Sequence, residues 1–177
     1  MNLPNLLAFA RILIAPVIFM LLVNRNLFPN IHPSWLDYFA GLLFVIAGIT
    51  DFLDGYIARK WNQITKLGSI LDPLADKMLT LAGFIGLMML HRADEWAIFL
   101  ILTREFFITG LRVVAVSEGR DVSATLSGKI KTVVQLIAIG FLIMDWYFGS
   151  FLLWISVILT IYSGYEYVRD YWRNSKC

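Results

Sequence analysis

Long apolar stretches alternate with short polar segments along the whole chain. Each stretch holds about 20 mostly apolar residues, the length that an α-helix needs to cross about 30 Å of hydrocarbon. The pattern therefore predicts an all-α membrane protein with six transmembrane helices. Their predicted bounds are Asn5–Val23, Trp35–Arg59, Gly68–Leu90, Trp96–Val116, Ser127–Tyr147 and Phe151–Val168.

The composition agrees with this pattern and narrows the classes of protein. Of 177 residues, 59% are hydrophobic and 16% are charged, and the mean hydropathy is +0.71, which is too apolar for a soluble domain of this size. We expect one membrane domain over residues 1–177, because six spans use almost the whole length. A net charge of +2 is too small to indicate nucleic acid binding, so membrane lipids are the expected partners.

The basic residues divide unequally between the two predicted sides of the membrane. Only Arg25 and Arg92 fall on one side. The other side holds Arg11, Arg59, Lys60, Lys66, Lys77, Arg112, Arg120, Lys129, Lys131, Arg169, Arg173 and Lys176. Because positive charge is enriched in cytoplasmic segments, this distribution predicts that both termini and the crowded side are cytoplasmic.

Four carboxylates lie between the second and third apolar stretches, in the pattern D-x2-D-G-x2-A-R-x8-G-x3-D-x3-D. The pattern begins at Asp51 and ends at Asp76. In helices, this spacing places two acids on one face of each segment, beside residues with little or no side chain. All-oxygen donors suit Mg²⁺ or Mn²⁺, and acids from two helices can bridge two such ions. The acids are Asp51, Asp54, Asp72 and Asp76, and the small residues are Gly55, Ala58 and Gly68.

A purely structural interpretation of these acids is also open. A carboxylate at membrane depth costs about 2.5 to 3.5 kcal/mol, so cations must lie nearby. Arg59 or Lys77 could supply them through salt bridges alone. Asn5 and Arg11, in the first turns of the first span, could equally cap and anchor that helix or contact a lipid headgroup.

The acidic pattern resembles the signature of the CDP-alcohol phosphotransferases, with every element present. The resemblance implies two divalent cations and CDP-linked lipid chemistry. Asp51 and Asp72 would contact both ions, Asp54 one, and Asp76 the other while also acting as the catalytic base. The implied contacts to the cytidine nucleotide come from Asp54, Gly55, Ala58, Arg59 and Gly68.

The remaining cations point to an acceptor that carries its own phosphate. Arg104 and Arg112 are eight residues apart, so they share one helix face, and Lys129 lies near the same membrane side. Arginine matches phosphate geometry and lysine supplies a point charge. Lys131, two residues beyond Lys129, is expected to point elsewhere, and its role is left open. Alternatively, Arg104 pairs with Glu105 or Glu118, and Arg112 and Lys129 only set the topology.

Three further segments, residues 4–11, 104–112 and 127–132, resemble those of the bacterial phosphatidylglycerophosphate synthases within the same family. This resemblance covers nearly the whole chain. It implies transfer of a phosphatidyl group from CDP-diacylglycerol to sn-glycerol 3-phosphate, by a homodimer in the bacterial inner membrane whose site faces the cytoplasm. Inositol phosphate is the alternative acceptor. A cation or phosphate transporter is a different class, but the acids lie at one membrane side and no inverted repeat is evident.

Overall fold

The structure is a computed structural model that describes residues 3–60, 68–118 and 126–174. At residues 3–4, 52–60, 68–70, 116 and 174 it describes the backbone alone. These ranges contain six α-helices, a short 3₁₀-helix (Arg25–Leu27) and no strand, so the predicted all-α fold is confirmed. The helices are α1 (Leu3–Val23), α2 (Pro33–Lys60), α3 (Gly68–Met89), α4 (Glu95–Ser117), α5 (Leu126–Ile143) and α6 (Gly149–Asn174).

Four of the described helices are long and apolar enough to cross a membrane: α1, α2, α5 and α6. In the other two, charged residues interrupt the apolar sequence, as Asp72, Asp76 and Lys77 do in α3 and Arg104, Glu105 and Arg112 do in α4. The total of six spans therefore stays a prediction. Outward-facing apolar side chains support a lipid environment, since Leu13 of α1 is 56% exposed and Phe106 of α4 is 60% exposed.

The helices pack as two groups of three. α1 packs mainly against α3 and α2, and α6 packs mainly against α5 and α4. Contacts of α5 with α2 and α3 join the groups. The shared core includes Leu22, Phe44, Phe84 and Ile139, all nearly inaccessible. The boundary between the two groups runs through the interior, where the charged residues of α3, α4 and α5 meet.

The turns after α3 and α5 have the same backbone geometry. His91 has φ 55° and Asp145 has φ 56°, both in the left-handed region. The next N–H groups, of Arg92 and Trp146, reach back to the carbonyls of Leu87 and Phe141 at 3.0 Å. This is the Schellman arrangement that satisfies the last carbonyls of a helix. It ends α5 at Ile143, four residues before the predicted Tyr147.

Four charged residues next to these turns form what we call the Asp37 clasp: Arg25, Asp37, Arg92 and Asp145. Arg25 Nη2 lies 2.5 Å from Asp37 Oδ1, and Arg92 Nη2 lies 2.9 Å from Asp37 Oδ2. Arg92 also donates to the Ile143 carbonyl at 2.9 Å, and its Nε lies 3.6 Å from Asp145. The clasp thus ties the start of α2 to the ends of α3 and α5. Arg25 and Arg92, predicted to share one membrane side, meet there.

Candidate active site

The guanidinium of Arg11 lies between carboxylates of two helices. Arg11 is 0% exposed, and its Nη1 donates a hydrogen bond to Asp51 Oδ1 of α2. Its Nη2 lies 3.9 Å from Asp72 Oδ1 of α3. The two helices therefore bring one carboxylate each to a common position around a buried cation. We call this region, with Asp76 one turn beyond Asp72, the acidic end of the bundle.

Asp72 keeps the capacity to bind a further ligand. Its Oδ1 is buried and accepts no hydrogen bond within the described part of the chain. The 3.9 Å separation from Arg11 exceeds hydrogen-bond length. Leaving a buried acceptor unpaired costs free energy, and a bound cation would remove that cost. Carboxylate oxygens are the donors that Mg²⁺ and Mn²⁺ prefer, so Asp51 and Asp72 fit a hard divalent cation.

The complete set of four acids extends beyond the described side chains. Asp54 lies in α2, three residues after Asp51, but its side chain is not among those described. Within the described side chains, no group of three or more His, Cys, Asp or Glu residues is close enough to hold a metal ion. The four-carboxylate arrangement of Asp51, Asp54, Asp72 and Asp76 therefore stays a prediction.

Glu105 joins charged groups from three helices beside the acidic end. This residue of α4 is 5% exposed, and its two oxygens accept hydrogen bonds from Lys77 Nζ of α3 and Lys131 Nζ of α5. Arg104 Nη1 lies 3.4 Å from the same carboxylate. Lys77 Nζ is also 4.0 Å from Asp76 Oδ2. A buried carboxylate with two ammonium partners is electrostatically satisfied, and it fixes where those partners lie.

A small cavity opens between α3, α4 and α5 at this cluster. It is enclosed mainly by polar groups, in contrast to the apolar core around it. The Gln135 side-chain oxygen is buried beside it and has no hydrogen-bond partner within the described ranges. The cavity has room for a group of about the size of one water molecule, such as a hydroxyl, next to Asp76. Its lining consists of Asp76, Lys77, Thr80, Glu105, Lys131, Thr132 and Gln135.

The three cations predicted to bind the acceptor phosphate lie in different environments. Arg104 runs inward, where Nη2 donates to Ser163 Oγ at 2.8 Å. It crosses α6 at Gly164, where a Cβ atom would lie 3.0 Å from Arg104 Nε, so the missing side chain makes room for it. Arg112 and Lys129 are exposed. Arg112 is eight residues beyond Arg104, about 12 Å along α4 at 1.5 Å per residue.

The predicted nucleotide contacts fall where the structure describes only backbone. The residues concerned lie in the last turns of α2 or at the first position of α3, so their side-chain geometry is outside the described residues. Their helical backbone agrees with the spacing argument that placed them on helix faces. They are Asp54, Gly55, Ala58, Arg59 and Gly68.

Sequence reasoning missed the roles of Arg11, Glu105 and Lys131, although a signal existed for two of them. Buried positions of α5 include Gln135, three to four residues before Ala138 and Ile139. Counting back from Gln135 by the same helical period reaches Lys131, whereas Lys129 falls off the buried face of α5. The same period from Ala15 and Ala8 places Arg11 on the buried face of α1. The alternative pairing of Arg104 with Glu105 is present at 3.4 Å, whereas nothing in the sequence identified Lys77 and Lys131 as the other partners of Glu105.

An all-helical apolar bundle with carboxylates and cations gathered in its interior is typical of a helical membrane protein with a charged interior site. Comparison with known proteins then gives the family. Residues 1–162 match the CDP-alcohol phosphatidyltransferase family, and the chain belongs to it. The predicted resemblance to this family is confirmed, and with it the assignment as a transferase.

Similar proteins span almost the same length. A CDP-diacylglycerol–glycerol-3-phosphate 3-phosphatidyltransferase of Bacillus subtilis (strain 168) is 37% identical, covering 99% of this chain and 97% of the relative. A protein of the same name from Rickettsia typhi is 40% identical, with 95% and 96% covered. Another, from Shigella flexneri serotype 5b, is 32% identical, with 94% and 93% covered. The similarity therefore includes all six helices.

Proposed function

We propose that this protein transfers the phosphatidyl group of CDP-diacylglycerol to sn-glycerol 3-phosphate, giving phosphatidylglycerophosphate and CMP. The family and the names of the relatives support this reaction. The structural observation that carries the proposal is the cavity in which Asp76 meets Lys77 and Lys131. A carboxylate at such a cavity can take a proton from a hydroxyl, and the cations nearby favour an acceptor that also carries phosphate.

In the proposed site, Asp51, Asp54, Asp72 and Asp76 hold two divalent cations, Mg²⁺ or Mn²⁺. The unpaired Asp72 oxygen and the oxygen-only donors support this assignment. When bound, the cations would neutralise negative charge on the diphosphate.

The chain itself provides the nucleotide contacts through Asp54, Gly55, Ala58, Arg59 and Gly68 in this proposal. The missing or small side chains leave room beside the backbone of α2 and α3 for the cytidine diphosphate. Arg59 contacts the diphosphate, for which its planar guanidinium is suited.

Asp76 acts as the general base in this proposal. An acceptor hydroxyl attacks the lipid-linked phosphorus of CDP-diacylglycerol, one P–O bond forms, and the P–O bond to CMP breaks. The hydroxyl proton passes to Asp76, and CMP leaves with the electron pair of the broken bond. Alignment of the attacking hydroxyl and neutralisation of charge are the main demands of phosphoryl-type transfer.

The acceptor phosphate is assigned to Arg104, Arg112 and Lys129. Of these three residues, Arg104 faces inward, and its contacts with Ser163 and Glu105 set the direction of its guanidinium. Arg112 and Lys129 are exposed, where they can attract an anion from the aqueous phase. An alcohol without charge would gain nothing from these groups.

The test is to purify the full chain in detergent, supply labelled CDP-diacylglycerol, and identify the lipid formed with each of several acceptors. Glycerol 3-phosphate should yield phosphatidylglycerophosphate and CMP, and chelation should stop the reaction until Mg²⁺ or Mn²⁺ returns. Product from inositol phosphate alone would assign the other acceptor. Ion flux into vesicles without CMP release would instead indicate a transporter.

We also propose six membrane spans with both termini and the site facing the cytoplasm of a bacterial inner membrane, and a homodimer as the functional unit. Residues 1–177 would form one catalytic domain. Cys177 is the only cysteine in the sequence, so it reports the side of the C-terminus. A membrane-impermeant maleimide should label inverted vesicles and leave intact spheroplasts unlabelled. The reverse pattern would place the C-terminus outside.

A further inference from the structure

Glu105 is a buried carboxylate for which the proposed reaction has no direct use. Among the described residues it has no hydrogen bond or ion pair with the groups around Arg11, and it lies on a different helix from both Asp51 and Asp72. Its two oxygens are instead occupied by Lys77 and Lys131. Since Glu105 is only 5% exposed, these contacts and not solvent determine its environment.

Lys77 has two carboxylates within reach. Its Nζ is hydrogen-bonded to Glu105 Oε2 and lies 4.0 Å from Asp76 Oδ2. A lysine ammonium is a point charge on a flexible stem, so a small rotation is enough to exchange one carboxylate for the other. Glu105 and Asp76 are therefore both within ion-pair range of the same ammonium. Of the two lysines, only Lys77 lies within 4.0 Å of an Asp76 oxygen.

We infer that Glu105 is a positioning residue that holds the Lys77 ammonium away from Asp76, so that the Asp76 oxygens stay available to a cation and to the acceptor hydroxyl. The role of Asp76 in this inference rests on the proposed function. The competition between Glu105 and Asp76 for Lys77 rests on the contacts alone. A purely structural role, in which Glu105 only ties α3, α4 and α5 together, makes different predictions.

The experiment compares Glu105→Gln and Lys77→Gln with two double variants in the full-length protein. E105Q removes the charge that retains Lys77 and keeps the side-chain size. E105Q/K77Q also removes the competing ammonium. E105Q/K131Q is the matched control, because Lys131 is the other ammonium on the same carboxylate. Mn²⁺ binding followed by electron paramagnetic resonance gives a readout that requires no lipid substrate.

E105Q should weaken Mn²⁺ binding and slow CMP release by about 10- to 100-fold, the usual effect of losing a residue that orients a metal ligand. E105Q/K77Q should return both quantities to the level of K77Q alone. E105Q/K131Q should stay as impaired as E105Q. E95Q, an exposed acid at the start of the same helix, should match the wild type.

Failure of E105Q/K77Q to bind Mn²⁺ better than E105Q would overturn the inference, as would recovery in E105Q/K131Q or unaltered binding in E105Q. If E105Q does not fold, E105D serves instead: it keeps the charge but withdraws it from Lys77, and K77Q should relieve its defect. If the variants follow this order and the wild type forms no phosphatidyl product with any acceptor, the proposed function fails and the role of Glu105 stands.

Discussion

Two clusters of charged side chains lie toward opposite ends of the helices and use the same residue types differently. One is the Asp37 clasp and the other is the acidic end. Asp51 follows Asp37 by 14 residues along α2, about 21 Å at 1.5 Å per residue. Both groups contain an aspartate of α2 paired with an arginine from outside that helix.

The two clusters differ in how many carboxylate oxygens have a hydrogen-bond donor among the described residues. Each oxygen of Asp37 accepts a hydrogen bond from an arginine, so its strongest acceptor directions are taken. At the acidic end, one Arg11 guanidinium serves Asp51 and lies 3.9 Å from Asp72, whose buried oxygen lacks a donor within the described ranges. The described ammonium group nearest to Asp76 is that of Lys77, and it donates a hydrogen bond to Glu105.

This difference separates carboxylates that hold the fold together from carboxylates that are available to a ligand. Membrane burial makes an unpaired acid expensive, so a protein retains one only where another group completes it. Among the described side chains, the clasp is complete and the acidic end is not.

Asp76→Asn should abolish most turnover while the protein still folds. The amide keeps the shape of the side chain but cannot take the acceptor proton. Losing a general base typically costs about 10²- to 10⁴-fold in rate, and CMP release measures it. Mn²⁺ binding should weaken without disappearing, because Asp51 and Asp72 remain. Turnover within a few-fold of the wild type would show that Asp76 is not the base.

Asp37→Asn should have the opposite profile. Removing the charge of Asp37 should cost up to about 3 to 5 kcal/mol, because Arg25 and Arg92, whose side chains are only 23% and 16% exposed, each lose a carboxylate partner. We expect a lower thermal midpoint in detergent and unchanged CMP release per folded molecule at low temperature. Asp94→Asn is the matched control, since Asp94 is exposed at the same end and asparagine can also cap α4 at Ala97. Loss of turnover without loss of stability would contradict the structural role of the clasp.

The sequence predicted the helices well because their lengths follow from apolar run lengths. Their bounds agree to within a few residues, except at the C-terminal ends of α5 and α6. There, the left-handed turn at Asp145 ends α5 early, and Tyr167, buried near the end of α6, lies in a helix that continues past the predicted Val168 to Asn174. Neither feature is visible in hydropathy alone.

The spacing of acids also pointed to α2 and α3, but it could not assign their partners. Asp37 and Asp72 both lie beside apolar residues in sequence, and only the packing shows that two arginines reach the first. Likewise Lys129 and Lys131 differ by two residues, yet one is exposed and the other is bound to Glu105. Such distinctions depend on contacts between helices distant in sequence, which no local pattern encodes.

Arg11→Gln should reveal whether the acidic end is completed by a cation. Without the guanidinium, Asp51 loses a hydrogen-bond partner, at a cost of about 1 to 3 kcal/mol in the metal-free protein. A cation that binds only the folded state stabilises it by an amount that grows with the logarithm of its concentration above the dissociation constant, and removing the competing guanidinium should lower that constant. The rise in thermal midpoint on adding Mn²⁺ should therefore be larger in R11Q than in the wild type. An equal rise in both proteins would indicate that Arg11 and the cation do not compete, and no rise in either would indicate that the acidic end binds no Mn²⁺.

The smallest effects should come from the exposed cations assigned to the acceptor. Arg112→Gln and Lys129→Gln should each raise the KM for glycerol 3-phosphate by about 2- to 5-fold, as exposed charge interactions contribute about 0.2 to 1 kcal/mol. The KM for CDP-diacylglycerol should not change. Added salt should reduce the difference from the wild type, because it screens exposed charges.

Arg169→Gln is the matched control, because Arg169 is an exposed cation near the end of α6. If all three variants raise the KM equally, general attraction of anions and not a built phosphate site explains the effect, which would leave Arg104 as the one inward-facing member of the predicted set.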